Sequence, residues 1–142
     1  MDPAEVARAA AAAMWVRDNA SQAMGITLVT VGPGSAVMSM RVREDMVNGH
    51  QIGHGGMTFA LADSAFAFAC NSYDRATVAA GAAIRFRAPT HLGDVLIASA
   101  TERERGDRRG IYDVTVVRES DDKVVASFVG QCTEIGGSVT GD

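Results

Sequence analysis

Met57-Thr58-Phe59-Ala60-Leu61-Ala62-Asp63-Ser64-Ala65-Phe66-Ala67-Phe68-Ala69-Cys70 is apolar at almost every position and is interrupted by a single acid, Asp63. A helix that is apolar on every face belongs inside a core rather than on a surface. An ionised carboxylate in such a place costs several kcal/mol unless it is paired, hydrated or used. His54-Gly55-Gly56 leads directly into this helix, so a glycine pair stands at its start and an acid in its middle. That juxtaposition marks a candidate catalytic site.

On either side of the helix the pattern changes to strands. Downstream of Tyr73, segments 77–88, 94–103, 111–118 and 124–135 are β-branched or alternating, with turns at Gly93-Asp94, Gly106-Asp107 and Asp121-Asp122. Upstream, 26–31 and 36–42 read as strands joined by Gly32-Pro33-Gly34, and 43–56 as a loop. Asp2-Pro3-Ala4-Glu5 predicts a helix start with Asp2 as N-cap, continuing to Gln22 and stopped by Gly25. Consecutive strands without helical crossovers make the sheet largely antiparallel. To bury a helix that is apolar all round, the sheet must curl around it, and the edge or helix face left over calls for a second subunit. The expected fold class is α+β, a curled antiparallel sheet wrapped around one long central helix plus an N-terminal helix. One domain spans 1–142, with the N-terminal helix at 3–22, a core at 24–136 and a disordered tail at 137–142.

The chain of 142 residues is long enough to bury a core without disulfides or metal. Its 17 acidic and 13 basic residues, a net charge of −4, argue against a partner recognised through nucleic-acid phosphates. Cys70 and Cys132 lie in apolar segments without metal-ligand spacing and read as buried free thiols of a cytoplasmic protein. The alanine run Ala9 to Ala13 is flanked by charges, so neither a secretion signal nor a membrane span is expected.

Asn48-Gly49-His50-Gln51-Ile52-Gly53-His54-Gly55-Gly56, then Leu61-Ala62-Asp63-Ser64-Ala65, Ile84-Arg85-Phe86-Arg87-Ala88-Pro89, Gly93-Asp94, Arg109-Gly110-Ile111-Tyr112-Asp113-Val114 and Val125-Ala126 carry a family pattern. Together they resemble the PaaI group of hotdog-fold acyl-CoA thioesterases, named for phenylacetate degradation. The spacing of Asn, His-Gly-Gly and Asp together is more specific than any one element. The resemblance implies hydrolysis of a small aromatic acyl-CoA, such as a phenylacetyl or hydroxyphenylacetyl thioester. No cofactor is expected, since CoA is part of the substrate.

A glycine pair at a helix start lets backbone N–H groups face outward at the positive end of the helix dipole. Such donors stabilise the oxyanion of thioester attack by about 3 kcal/mol each. The resemblance makes Gly55 the principal donor and Gly56 its helper, although a Gly-Gly pair by itself is equally a tight entry into a helix. Eight residues of helix separate Gly55 from Asp63, roughly 12 Å at about 1.5 Å per residue, too far for one carbonyl to touch both. The acid must then come from another subunit, giving a homodimer with composite sites, as the resemblance also implies. A homotetramer of two dimers is expected.

Asp63 would act either as general base on water or as nucleophile forming a mixed anhydride; its plain alternative is a structural acid bonding backbone or Ser64. Asn48 matches the family asparagine that positions thioester or water, its plain alternative being a loop residue bonding its own backbone. His54 reads as a brace for the loop. His50 and His54 lack a third partner, and no metal site is expected. Relatives carry a Ser or Thr on the next strand to hold the water, whereas this chain has Ala79-Ala80-Gly81-Ala82 there, with Thr77 earlier. Ser64 is the available substitute. Arg87, Arg108 and Arg109 suit the coenzyme's phosphates, though each alone is an ordinary strand-end charge. Phe59, Phe66 and the central loop are expected to line the acyl pocket. Two other readings are a hotdog hydratase or dehydratase of hydroxyacyl thioesters and a non-catalytic acyl-CoA sensor.

Overall fold

The computed structural model describes residues 1–141, so Asp142, the end of the expected tail, lies outside the described residues. Helix α1 (Pro3–Trp15) begins as Asp2-Pro3-Ala4-Glu5 predicts: Asp2 Oδ1 accepts the Glu5 N–H at 2.8 Å, and Pro3 fills the first turn. The expected continuation to Gln22 does not occur. Asp18 instead caps a separate α2 (Asn19–Ala23), accepting the Ser21 N–H at 2.9 Å and the Ser21 hydroxyl at 2.7 Å. An aspartate side chain competes for backbone N–H groups best outside a helix, so the chain breaks where Asp18 can cap.

Six strands form one sheet: β1 (Thr27–Gly32), β2 (Ser35–Arg41), β3 (Thr77–Phe86), β4 (Val95–Arg105), β5 (Arg109–Arg118) and β6 (Val124–Glu134). Their order is β1-β2-β4-β5-β6-β3, and every neighbouring pair is antiparallel. Helix α3 (Gly55–Cys70) enters between β2 and β3 in sequence and packs chiefly on β2, β4 and β5. This is the curled sheet around one long helix that the hotdog resemblance implies.

Alternation sets the core. Strand β2 buries Ala36, Met38 and Met40, and β5 buries Tyr112, Val114 and Val116, against Leu61, Ala62, Ala65, Phe66 and Phe68 of α3. Phe66 meets β6 at Gly130, where a Cβ would lie 2.7 Å from the ring. Bare backbone there lets the ring pack against Tyr112 and Phe128, at centroid distances of 5.9 and 5.8 Å.

The helix is not enclosed on every side, as its composition suggested. Ala60, Asp63, Ser64 and Ala67 form a half-buried stripe at helical spacings of three and four. Strand β3 is an edge strand of ten residues, paired only with β6. It is exposed along most of its length, with Val78 at 44 % and Phe86 at 54 %. A long edge of this kind, with no charge before Arg85, is a template for pairing with another chain.

Residues 137–141 are docked, which corrects the expected disorder. The Asp74 carboxylate accepts from the Val139 N–H (3.0 Å), the Thr140 N–H (2.8 Å) and the Thr140 hydroxyl (2.6 Å), while Arg17 donates to the Val139 carbonyl at 3.1 Å. A small polar tail has little apolar surface to bury, but it can saturate a carboxylate, and charge-assisted hydrogen bonds are the stronger kind. Among the described residues no helix is long and apolar enough to cross a membrane.

The contact between Phe66 and Gly130 is directly testable. Gly130→Ala is expected to lower stability by about 1–3 kcal/mol through overpacking, measured as a lower urea midpoint at unchanged slope. A midpoint equal to wild type would show that the ring does not depend on the bare backbone.

Candidate active site

The site forms where the loop delivers the chain to the start of α3. The His54 N–H donates to the Met46 carbonyl at 2.7 Å, and the Asn48 N–H donates to the Ile52 carbonyl at 2.8 Å. The segment is pinned despite its glycines. His54 is the N-cap of α3, and its Nδ1 accepts the Gly56 N–H at 3.0 Å. His54 therefore braces the helix entry, and it also engages the N–H that Gly56 would offer to a substrate oxygen. The Gly55 N–H has no acceptor among the described residues. As the first helical residue, Gly55 carries an orphan donor at the positive end of the dipole.

Phe86 stands beside it. A Cβ at Gly55 would come within 2.9 Å of the Phe86 ring, so the ring rests on bare backbone. Gly55, Phe86, Ile52, Thr58, Arg87 and Val125 line an open cavity of about 410 Å³. Phe86 escaped the sequence reading because only the pairing of β3 with β6, with Phe86 opposite Ala126, carries it to the loop. Its one sequence signal was its place within Ile84 to Pro89. Phe59 and Phe66, expected to line the acyl pocket, belong to the core instead: Phe59 packs edge-on against Phe128 at 5.3 Å, and Phe66 is buried. Both follow the ordinary rule that aromatic residues on a buried helix face are packing residues.

Asn48 Oδ1 accepts the His50 N–H at 2.9 Å and the Ile52 N–H at 3.2 Å. Its carbonyl oxygen thus shapes the loop, and its Nδ2 protons are unengaged among the described residues. Asp63 sits two turns into α3, half-buried, with no hydrogen bond or ion pair to its carboxylate among the described residues; burial alone raises its pKa above the ordinary 3.8. Ser64 does not serve Asp63. The Ser21 hydroxyl is donated to Asp18, so Ser21 Oγ accepts the Ser64 hydroxyl at 2.9 Å, which ties α3 to α2. Thr77 is also occupied, its hydroxyl donating to the Arg75 carbonyl at 2.7 Å.

The arginines separate into two groups. Arg87 lines the cavity at Gly55 and donates through Nε to Ser127 Oγ at 2.8 Å. Arg108 and Arg109 lie at the other end of α3, bordering a crevice with Cys70 and Cys132. Within one protomer the fold brings Asn48, His54, Gly55 and Arg87 to one end of α3, leaves Asp63 roughly 12 Å along the helix at about 1.5 Å per residue, and holds Arg108 and Arg109 apart.

Comparison with known proteins gives the same fold and reaction type. The model of the thioesterase superfamily matches residues 50–125. The acyl-coenzyme A thioesterase PaaI of Escherichia coli (strain K12) is 44 % identical over 130 residues, 92 % of each chain. The solved structure of the E. coli PaaI protein from the phenylacetic acid degradation operon superposes with a TM-score of 0.93 at 42 % identity, covering 95 % of this chain and 97 % of that one. A variant of the phenylacetic acid degradation protein PaaI from Thermus thermophilus gives 0.78 at 35 % identity over 81 % and 97 % of the two chains.

The His54 cap has a measurable consequence. His54→Ala should cost about 1 kcal/mol in urea denaturation, and His54→Asn, which restores a capping acceptor, should recover most of it. Equal loss in both variants would mean that the imidazole stabilises the loop by packing rather than by capping.

Proposed function

The chain belongs to the thioesterase superfamily, and we propose that it is a cytoplasmic acyl-CoA thioesterase acting on small aromatic acyl groups, phenylacetyl or hydroxyphenylacetyl in kind. It releases the free acid and CoA, and it works as a homodimer whose two sites are each shared between protomers. One observation carries this reading: the unpaired Asp63 carboxylate and the Gly55 N–H without an acceptor lie too far apart on one helix to meet on a single carbonyl. The open β3 edge and the small-residue stripe of α3 supply a surface across which a second copy would bring its own Gly55 to Asp63. Two such dimers pair into a homotetramer.

In the shared site the thioester carbonyl points at Gly55, where the N–H and the helix dipole stabilise the negative charge of the tetrahedral intermediate. Asn48 Nδ2 orients the thioester or the water. Asp63 of the other protomer takes the proton from water or attacks the carbonyl carbon itself. The raised pKa of Asp63 makes it a stronger base than an exposed aspartate. Phe86 and the cavity beside Gly55 take the acyl group or the pantetheine arm, and Arg87 at that cavity pairs with a coenzyme phosphate; Arg108 and Arg109, at the far end of α3 in the same protomer, serve as further phosphate partners from the other protomer.

A thiol-release assay over aryl-acyl, short-chain and long-chain CoA thioesters tests the substrate class, with turnover expected to be highest on the aryl-acyl set. No CoA release from any thioester would refute the enzyme assignment. Asp63→Asn should lower kcat by about 10²- to 10⁴-fold. Because the base must be ionised, kcat/KM of the wild type should fall as pH drops through a value above 3.8. Gly55→Pro removes the N–H at a helix position that accepts proline, and His54 already has the extended backbone (φ −64, ψ 130) that a residue before proline requires. A loss of about 10²- to 10³-fold is expected. Because any Cβ there presses on the Phe86 ring, Gly55→Ala, which adds the Cβ and keeps the N–H, is the control and should lose less.

Mixing the two dead variants separates shared from self-contained sites. Random re-association gives heterodimers with one intact site each, so about a quarter of wild-type activity should return. A mixture that stays inactive would sink the shared site while leaving the hydrolase reading in place. Sedimentation should give four times the 14.8 kDa chain mass for the assembled enzyme.

A further inference from the structure

We propose that Thr58 and Thr90 are specificity-determining residues, a pair of hydroxyls that reads a ligand group able both to donate and to accept a hydrogen bond close to the thioester carbonyl. The inference rests on the thioesterase reading of the same site. Both threonines line the cavity beside Gly55, and each is only 4 % exposed. Neither hydroxyl makes a hydrogen bond among the described residues, and neither oxygen is sealed from open space. Buried hydroxyls are nearly always paired, because a bare one forfeits the hydrogen bonds it made to water. Two in one cavity call for a partner from outside the chain.

Local structure explains their placement. Thr58 shares the core-facing stripe of α3 with Leu61, Ala62 and Ala65, three, four and seven residues on. A helical threonine ordinarily turns its hydroxyl back to a carbonyl of the preceding turn, and Thr58 does not. Thr90, in the segment after β3, stands over Gly53, where a Cβ would collide with Thr90 Oγ1. The Gly53 N–H donates to the Thr90 carbonyl at 2.8 Å, which holds the two together. Gly53 is bare backbone so that this hydroxyl has room.

Ile52, Phe86 and Val125 make other walls of the cavity apolar. A hydrocarbon group entering it would displace water and leave both hydroxyls unpaired, whereas a hydroxyl or a secondary amide exchanges hydrogen bonds with them. Position narrows the choice. Thr58 lies three residues beyond Gly55, roughly 4.5 Å along the helix at about 1.5 Å per residue. Its hydroxyl is therefore set back from the N–H that takes the carbonyl oxygen and meets an adjoining part of the same molecule. Two groups stand near enough to that carbonyl: a hydroxyl on a small acyl group, and the pantetheine amide next to the sulfur.

Two matched pairs of thioesters distinguish these sources. Para-hydroxyphenylacetyl-CoA against phenylacetyl-CoA varies the acyl hydroxyl alone; the N-acetylcysteamine against the pentyl thioester of phenylacetate varies the amide alone. In at least one pair, Thr58→Val and Thr90→Val should each lower kcat/KM on the hydrogen-bonding member by about 3- to 10-fold and leave it equal or higher on the other. Thr58→Ser and Thr90→Ser should keep the wild-type ratio. A threonine needed only for packing would move both members of a pair together, and a partial loss of folded enzyme cancels in the ratio. If one valine variant does not fold, the other carries the test. Turnover with unchanged ratios in both pairs would overturn this proposal alone, the hydroxyls then binding only water. No thiol release from any thioester by the wild type would sink the hydrolase reading and this inference with it.

Discussion

Helix α3 has almost no polar side chain to offer water, and the rest of the chain is arranged around where its apolar surface goes. Its bulky side chains, Leu61, Phe66 and Phe68, lie in the core formed with the sheet, and Gly130 makes room on β6 for the Phe66 ring. Three small side chains, Ala60, Ser64 and Ala67, fall on a half-buried stripe with Asp63 among them, while Ala62 and Ala65 share the core face. A single curled sheet can cover only one side of a helix. The same six-stranded order that shelters the bulky face leaves β3 as an edge strand open to pairing.

The polar chemistry follows from the ends of that helix. At its start, backbone N–H groups compete for acceptors, and the competition is uneven. His54 Nδ1 engages Gly56, and among the described residues Gly55 is left with its donor free at the positive end of the dipole. At its far end Cys70 borders a crevice with Cys132, Arg105, Arg108 and Arg109. Between them Asp63 is half-buried with no partner among the described residues, and burial raises its pKa above the ordinary value. The helix thus separates the Gly55 N–H, the Asp63 carboxylate and Cys70 along its length, and rigidity keeps them from meeting within one protomer.

Much of this was legible in the sequence. The acid in an apolar run, the His-Gly-Gly before it, the Asp2 cap and the antiparallel pairing of the strands each follow from rules about periodicity, capping and connection length, whereas the order β1-β2-β4-β5-β6-β3 does not. The failures have a common cause. Asp18 breaks the first helix because its side chain finds Ser21, and residues 137–141 dock because Asp74, far away in sequence, gathers their N–H groups. In every case a polar group had several possible partners, and the sequence does not say which one lies within reach.

The family, the sheet and the identity of the candidate residues were determined by the amino-acid sequence itself, because periodicity and motif spacing are properties of the chain taken in order. Which N–H remains free, which aromatic ring rests on Gly55, and which arginines stand near one another were decided only by the tertiary structure. Phe86 reaches Gly55 through the register of β3 on β6, and Arg108 is kept from Arg87 by the length of α3. Both are distances through space between residues remote in sequence, and hydrogen bonding, burial and pKa all depend on such distances rather than on order along the chain.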